Sequence, residues 1–186
     1  EKYGIPQDAF VFGMHQRNDP SIFSPVSLLA FSQVKELSSY MVILGGSKRH
    51  REFVNSWDLD KKSKVIFIDS TSDNSLIHSF LDGIDVYAHS RLDGEVCSTA
   101  LVEAMAHGKV IVSCPGNNNG HFDQIKNCGF FCNTLEEYVD SMNTLQNDEK
   151  KYKEMSDLSS LEYNKTYAYG SIENKILGLL KEIETI

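Results

Sequence analysis

The sequence predicts a doubly wound α/β domain, with a Rossmann-like parallel sheet of about six strands flanked by helices. Short apolar, β-rich runs alternate with longer stretches whose apolar residues recur at helical spacing, the pattern of βαβ units. Several of the short runs are apolar on both faces, as in strands that helices cover from either side. The 186 residues, 41% hydrophobic and 24% charged, are enough to bury one sizeable core. A single domain over residues 1–186 is therefore expected, with 1–8 as a lead-in linker and 171–186 as a closing helix.

Taken in chain order, strands are expected at 9–13, 40–44, 64–68, 86–89, 110–113 and 130–132. Helices are expected at 24–38, 48–57, 75–81, 98–107, 135–145 and 171–184. Pro25 follows Ser24, which places a proline in a first helical turn behind a capping hydroxyl. The charged run from Lys150 to Lys153 reads as the solvated face of a further helix.

A net charge of -8 argues against duplex nucleic acid or an anionic membrane as partner, because both require a basic face. No apolar run reaches the roughly 18 residues that span a bilayer, and no leader of the secretory type is present. A cytoplasmic domain is expected, with parts outside this sequence available to bring it to the cytosolic face of a membrane. A first residue of Glu1 rather than Met is read as the mark of an excised domain. Cys97, Cys114, Cys128 and Cys132 lack the paired spacings of a zinc site, so no metal and no disulfide are expected. Asn164-Lys165-Thr166 fits a glycosylation acceptor but carries no such role in that setting.

Ligands of open α/β sheets sit beyond the carboxyl ends of the strands, so informative residues should follow the strands. The strongest segment is Arg91-Leu-Asp-Gly-Glu-Val-Cys-Ser-Thr-Ala-Leu-Val-Glu-Ala-Met-Ala-His-Gly108. It runs from a strand end through a turn into an almost wholly apolar helix. A carboxylate at Glu103, amid Leu101, Val102, Ala104, Met105 and Ala106, is costly to bury unless paired, so it lies at a helix edge or faces a ligand. Helical side chains lean toward the N-terminus, which aims Glu103 at the turn from Glu95 to Ser98. The unsatisfied N–H groups and dipole of that helix start attract an anion such as a diphosphate. Ser98 and Thr99 offer a cap and hydroxyl donors to phosphate, and Glu103 can accept from the vicinal hydroxyls of a ribose.

With Glu95 and Glu103 separated by seven residues and followed by Ala-Met-Ala-x-Gly and a strand, the segment resembles the glutamate pair of retaining GT-B glycosyltransferases. These are the group 1, family 4-like enzymes that include sucrose and glycogen synthases. The likeness covers nearly the whole chain and includes Phe10-Val-Phe-Gly13, Val42-Ile-Leu-Gly-Gly46, Ile84 to Ser90 and a Tyr-rich segment before the last helix. It implies a C-terminal, donor-binding half without cofactor, taking a nucleoside diphosphate sugar of the UDP or GDP type. An N-terminal acceptor domain would be the partner, and an acceptor glycan, lipid or protein of unknown identity the second substrate.

Residue by residue, the resemblance implies that Glu103 binds the ribose, Glu95 the donor sugar, and the backbone N–H groups of Val96, Cys97 and Ser98 the distal phosphate. Gly13 would leave room for the diphosphate in the first loop. Family members carry an Arg after that glycine and a Lys about five residues on, a clamp for charge on the departing phosphate. Here Met14 follows that glycine and Ile22 stands about where the Lys is expected, and Val96-Cys97-Ser98 replaces a small residue, an aromatic and a glycine. Arg17, aided by His15, is left to supply the charge, and a solvated loop arginine is the equal alternative. His89 reads as a hydrogen-bonded structural histidine. An inactive sugar-nucleotide-binding or scaffolding domain is the rival to a transferase, and another GT-B enzyme such as a phosphorylase or epimerase a third reading. Asp58-Leu59-Asp60 matches an Asp-x-Asp metal motif but has no converging oxygen ligands. Gly45-Gly46-Ser47-Lys48 lacks the spacing of a phosphate loop and reads as the second βα turn lining the cleft. Gly116-Asn-Asn-Asn-Gly120 reads as either a mobile rim or a plain surface connection.

Overall fold

The computed structural model describes residues 3–35, 38–58 and 60–184. Six parallel strands form one sheet: β1 (Val11–Gln16), β2 (Tyr40–Gly45), β3 (Val65–Ile68), β4 (Val86–Ala88), β5 (Val110–Ser113) and β6 (Gly129–Phe131). Their order is β3-β2-β1-β4-β5-β6, so the winding reverses between β1 and β4. Right-handed crossovers then place the helices of the two halves on opposite faces.

The helices are α1 (Val26–Gln33), α2 (Lys48–Asn55), α3 (Asn74–Asp82), α4 (Thr99–Ala106), α5 (His121–Ile125), α6 (Leu135–Asn147), α7 (Glu149–Thr166) and α8 (Tyr169–Glu184). Short polar side chains define their starts. Asp73 accepts from Ser75 N, Ser98 from Leu101 N, Thr134 from Glu137 N and Asp148 from Lys151 N, each satisfying a donor that the first turn leaves orphaned. Ser24 serves α1 likewise, though Pro25 stands at the cap itself and not inside the first turn. The α1 helix ends at Gln33, short of the expected 38; Glu36 and Leu37 lie outside the described residues.

The first strand differs most from its sequence expectation, which ended it at Gly13. It runs on to Gln16 in register with β2, with part of its polar complement bonded inside the sheet, although His15 Nδ1 and Gln16 Oε1 are buried without a hydrogen-bond partner among the described residues. Gln16 donates its side-chain amide to Ser90 O (2.8 Å), and the His15 carbonyl accepts from Tyr87 Oη (3.0 Å). Met14 is fully buried between them.

Gly13 therefore lies in mid-strand, in register with Val42 and Tyr87, and not in a ligand loop. The space its missing side chain leaves is taken by Ile84 and Phe80.

Two helices escaped the sequence reading. In α7, whose start alone was suggested by the Lys150 to Lys153 charges, serines occupy the facing positions that apolar residues usually hold. Ser156 donates to Gly108 O (2.7 Å) and Ser159 to Lys109 O (2.8 Å), fastening α7 beneath the turn from α4 to β5. The short α5 follows the Asn-rich loop and buries His121, Gln124 and Ile125.

A Cβ placed on Gly13 would meet Ile84 Cγ2 at 2.5 Å and Phe80 Cζ at 3.0 Å. Gly13→Ala is expected to destabilise the fold by about 1–3 kcal/mol through overpacking, measured as a lowered urea midpoint with unchanged slope. An unchanged midpoint would mean that the α3 side chains yield freely.

Candidate functional site

The site is built where β1 and β4 part. The segment after β4 turns at Gly94, whose φ of +61 is a conformation that side chains resist. Asn118 packs against the spot where a Cβ would stand. The turn is zipped to the loop after β5: Asn118 N donates to Asp93 O (3.0 Å), Glu95 N to Asn118 O (3.2 Å) and His121 N to Glu95 O (2.9 Å). Gly116 to Gly120 is thus a brace for the glutamate turn, neither a free rim nor a plain connection. On the other side, Phe23 bridges Arg91 in antiparallel fashion, and Leu92 N donates to Ile22 O (3.0 Å). The first loop and the glutamate turn are one piece.

Glu95 is 14% exposed at its side chain and has a partner on each oxygen. His89 Nε2 lies 3.0 Å from Oε2, and Arg91 Nη1 donates to Oε1 at 2.9 Å. Burial alone would raise the Glu95 pKa; the hydrogen bonds from His89 and Ser98, with the charge of Arg91, outweigh it and hold the carboxyl below its ordinary value. Burial dominates at His89 and lowers its pKa, leaving a neutral ring that donates from Nε2 and accepts at Nδ1 from Ser113 Oγ (2.8 Å). The Arg91 fork also grips Asp93 through Nε (3.0 Å) and Nη2 (2.7 Å).

Glu103 comes from the second turn of α4 and leans back toward the strand ends, as the helical geometry requires. Its Oε2 meets His15 Nε2 at 3.1 Å, with 39% of the Glu103 side chain exposed against 15% for His15. Burial lowers the His15 pKa against the opposing pull of Glu103. The two glutamates therefore rest on two separate histidines, one from each of the diverging strands.

The remaining expected residues are placed as follows. Ser98 caps α4, accepting from Leu101 N (3.3 Å), but its own N–H is taken by Gln124 Oε1 (2.6 Å) and is not free for a phosphate in this state. Val96, Cys97 and Thr99 are exposed around the helix start. Arg17 is 65% exposed and, among the described residues, holds Asp19 alone, at 3.4 Å. It lines a cavity of about 310 Å³ together with His15, Asn18, Leu44, Ser70 and Thr71. Gly45, Gly46 and Lys48 line a neighbouring cavity that shares Asn18 and Ser70 with the first. Met14 and Ile22, where the resemblance would look for cations, are buried apolar residues.

Sequence reasoning missed Arg91 as a member of the site; His89, read as a hydrogen-bonded structural histidine, is buried and bonded to Ser113 and Glu95. Both lie within three residues of the end of β4, which was the available signal. Among the described residues no group of three or more His, Cys, Asp or Glu is placed to hold a metal ion. Asp58 and Asp60 are exposed, and Leu59 between them lies outside the described residues.

A six-stranded parallel sheet wound in both directions from a central crevice is the build of one half of a GT-B glycosyltransferase. Residues 1–159 match the model of the glycosyl transferases group 1, and the chain belongs to that family. Among solved structures it is similar to Anabaena HepE in complex with UDP-glucose, with 19% identity, a TM-score of 0.76 and coverage of 94% of this chain and 49% of that one. It is similar to WaaG, a glycosyltransferase involved in lipopolysaccharide biosynthesis, at 15% identity and TM-score 0.74 over 94% of this chain and 48% of that one. The C-terminal domain of the group 1 protein LpcC from Francisella tularensis matches at 18% identity and TM-score 0.69, over 86% of this chain and 87% of that domain. The chain thus spans about half the length of HepE and WaaG but most of a C-terminal domain taken alone. No curated protein matches the sequence.

His50 ties α2 to the first loop and makes part of this site pH-sensitive. Fully buried, it accepts from Ser47 N at Nδ1 (3.0 Å) and meets the Phe23 ring edge-on at 4.7 Å. Burial lowers its pKa from 6.5 to about 4. The unfolded chain then binds the proton more readily between those values, so stability falls as pH falls through that window. Chemical denaturation of wild type and His50→Gln at pH 7 and pH 4.5 should show the larger loss in wild type. Equal losses would mean that His50 contributes nothing to the pH dependence.

Proposed function

We propose that this chain is the donor-binding half of a retaining glycosyltransferase, and that it holds a UDP-type sugar nucleotide across the mouth between β1 and β4. The observation that carries the reading is the convergence of Glu95 and Glu103 at the start of α4, from a turn and a helix braced on both sides. Glu103 would accept from the ribose hydroxyls, Glu95 from hydroxyls of the sugar, and the exposed start of α4 would face the diphosphate. The UDP type is supported by the HepE complexes with UDP and UDP-glucose.

In the transfer, the bond from the anomeric carbon to the phosphate oxygen breaks and its electron pair leaves with the nucleoside diphosphate. The acceptor hydroxyl bonds to the same face of that carbon, and its proton passes to the departing phosphate. Arg17 is the cation free to approach that phosphate, since its one ion pair is loose and exposed. The acceptor, a glycan, lipid or protein, would be presented by a further domain. The half-length match to HepE and WaaG supports that arrangement, as does the match to an isolated C-terminal domain. Its place would be cytosolic; no helix among the described residues is long and apolar enough to cross a membrane.

A second reading, a domain that binds the sugar nucleotide without turning it over, is favoured by the burial of Met14 and Ile22 where the family clamp would stand. The two separate experimentally. Calorimetric titration of the full-length protein with UDP, GDP and ADP should give saturable binding of UDP, weakened by about 1–3 kcal/mol in Glu103→Ala. Binding without donor turnover would favour the second reading. A folded protein that binds none of the three would sink both.

A further inference from the structure

The two glutamates are held in different ways. Glu103 has one side-chain partner, His15, and a substantially exposed carboxylate, so a ligand hydroxyl can exchange with the imidazole at little cost. Glu95 is nearly buried and gripped on both oxygens, and each of its partners is itself immobilised. The Arg91 fork is aligned by two contacts to Asp93, which leaves Nη1 aimed at Glu95. His89 is fixed by Ser113 at Nδ1 and by Tyr138, whose hydroxyl donates to the His89 carbonyl (3.1 Å). The His121 ring lies 5.1 Å away. A carboxylate so gripped can neither rotate nor shift to follow a misplaced hydroxyl.

We propose that Arg91 and His89 are positioning residues that lock Glu95 in one orientation, making it the element that selects the hydroxyl configuration of the donor sugar. Nucleotide affinity rests on Glu103 and is separate. The inference depends on the donor-site reading given above. Discrimination follows from rigidity: a fixed acceptor rewards a hydroxyl at one place and is left unpaired by its epimer, whereas a loosened one adapts to either.

The test is the dissociation constants of UDP, UDP-glucose and UDP-galactose for the full-length protein and its Arg91→Lys, His89→Gln, His89→Ala and Ser113→Ala variants. Wild type is expected to separate the two epimers by about tenfold or more. Arg91→Lys, which cannot span Asp93 and Glu95 with one planar fork, should compress that ratio to within about threefold while UDP affinity stays within about twofold. Ser113→Ala leaves His89 in place but strips its Nδ1 partner, and should compress the ratio in part. His89→Gln keeps an amide donor within reach of Glu95 and should preserve more of the discrimination than His89→Ala. Where His89→Ala fails to fold, the Arg91 and Ser113 variants decide the matter.

A wild-type ratio near one, variants that keep the wild-type ratio, or variants that lose UDP affinity in parallel with both sugar nucleotides would overturn the proposal. Wild type that binds no UDP would overturn the donor-site reading with it, whereas intact UDP binding with an unchanged ratio overturns the positioning role alone.

Discussion

The structure turns on where β1 and β4 stop pairing. Only Phe12 with Val86 and Gly13 with Tyr87 are in register between them, while β1 continues beside β2 through Met14, His15 and Gln16. Beyond Tyr87 the strands must separate, because the helices that follow them lie on opposite faces of the sheet. The exposed edge would leave backbone groups unpaired. Tyr87 Oη is inserted there, donating to the His15 carbonyl and lying 3.3 Å from the His15 N–H. Gln16 spans the gap to Ser90 O, and Ser90 Oγ lies 2.7 Å from Ser27 Oγ of α1. A crevice is thus opened without being frayed, and its lining is polar because the gap has to be satisfied.

That lining explains why carboxylates tolerate the place. A carboxylate drawn from water loses solvation that only charge-assisted hydrogen bonds replace. Glu95 recovers it from the protein, through Arg91 and His89. Glu103 recovers it in part from His15 and in part from solvent. The same arithmetic settles the histidines. His15, His50 and His89 all have pKa values lowered chiefly by burial, so near neutral pH they act as fixed donors and acceptors, not as charges. Positive charge in the crevice falls to arginine.

Much of the sheet was legible from its sequence because the strands of a parallel sheet are continuously apolar. The β5 expectation of 110–113 matches the strand, and most other strand bounds fall within a residue or two. The failures share one cause. At the end of β1, His15 and Gln16 read as a loop because polar side chains in sequence do not announce partners such as Tyr87 and Ser90, more than 70 residues away. In α7 the facing residues are Ser156 and Ser159, whose hydroxyls reach backbone carbonyls of the turn before β5; helical periodicity counts apolar residues and passes over them. The glutamate turn was found because its spacing is a local property. Arg91 was not, since its importance rests on where Asp93 and Glu95 are held by the loop from Gly116 to Gly120.

Met14 and Ile22 are packed in the structure that makes the crevice. Met14 alternates with His15 along β1, so its side chain points to the covered face, where Ser27 Oγ lies 3.8 Å from its sulfur. An arginine there would have to bury its charge beneath α1 or displace that helix, and an unpaired buried charge is among the costliest changes a core can take. Ile22 sits where the first loop bridges the glutamate turn, and its side chain is fully buried, so a lysine there would have to bury its charge. Coupling the loop to the Glu95 unit fixes Arg91 on Glu95 and leaves Arg17 exposed outside the packed region. A cation placed singly at position 14 or 22 would have to break this packing first.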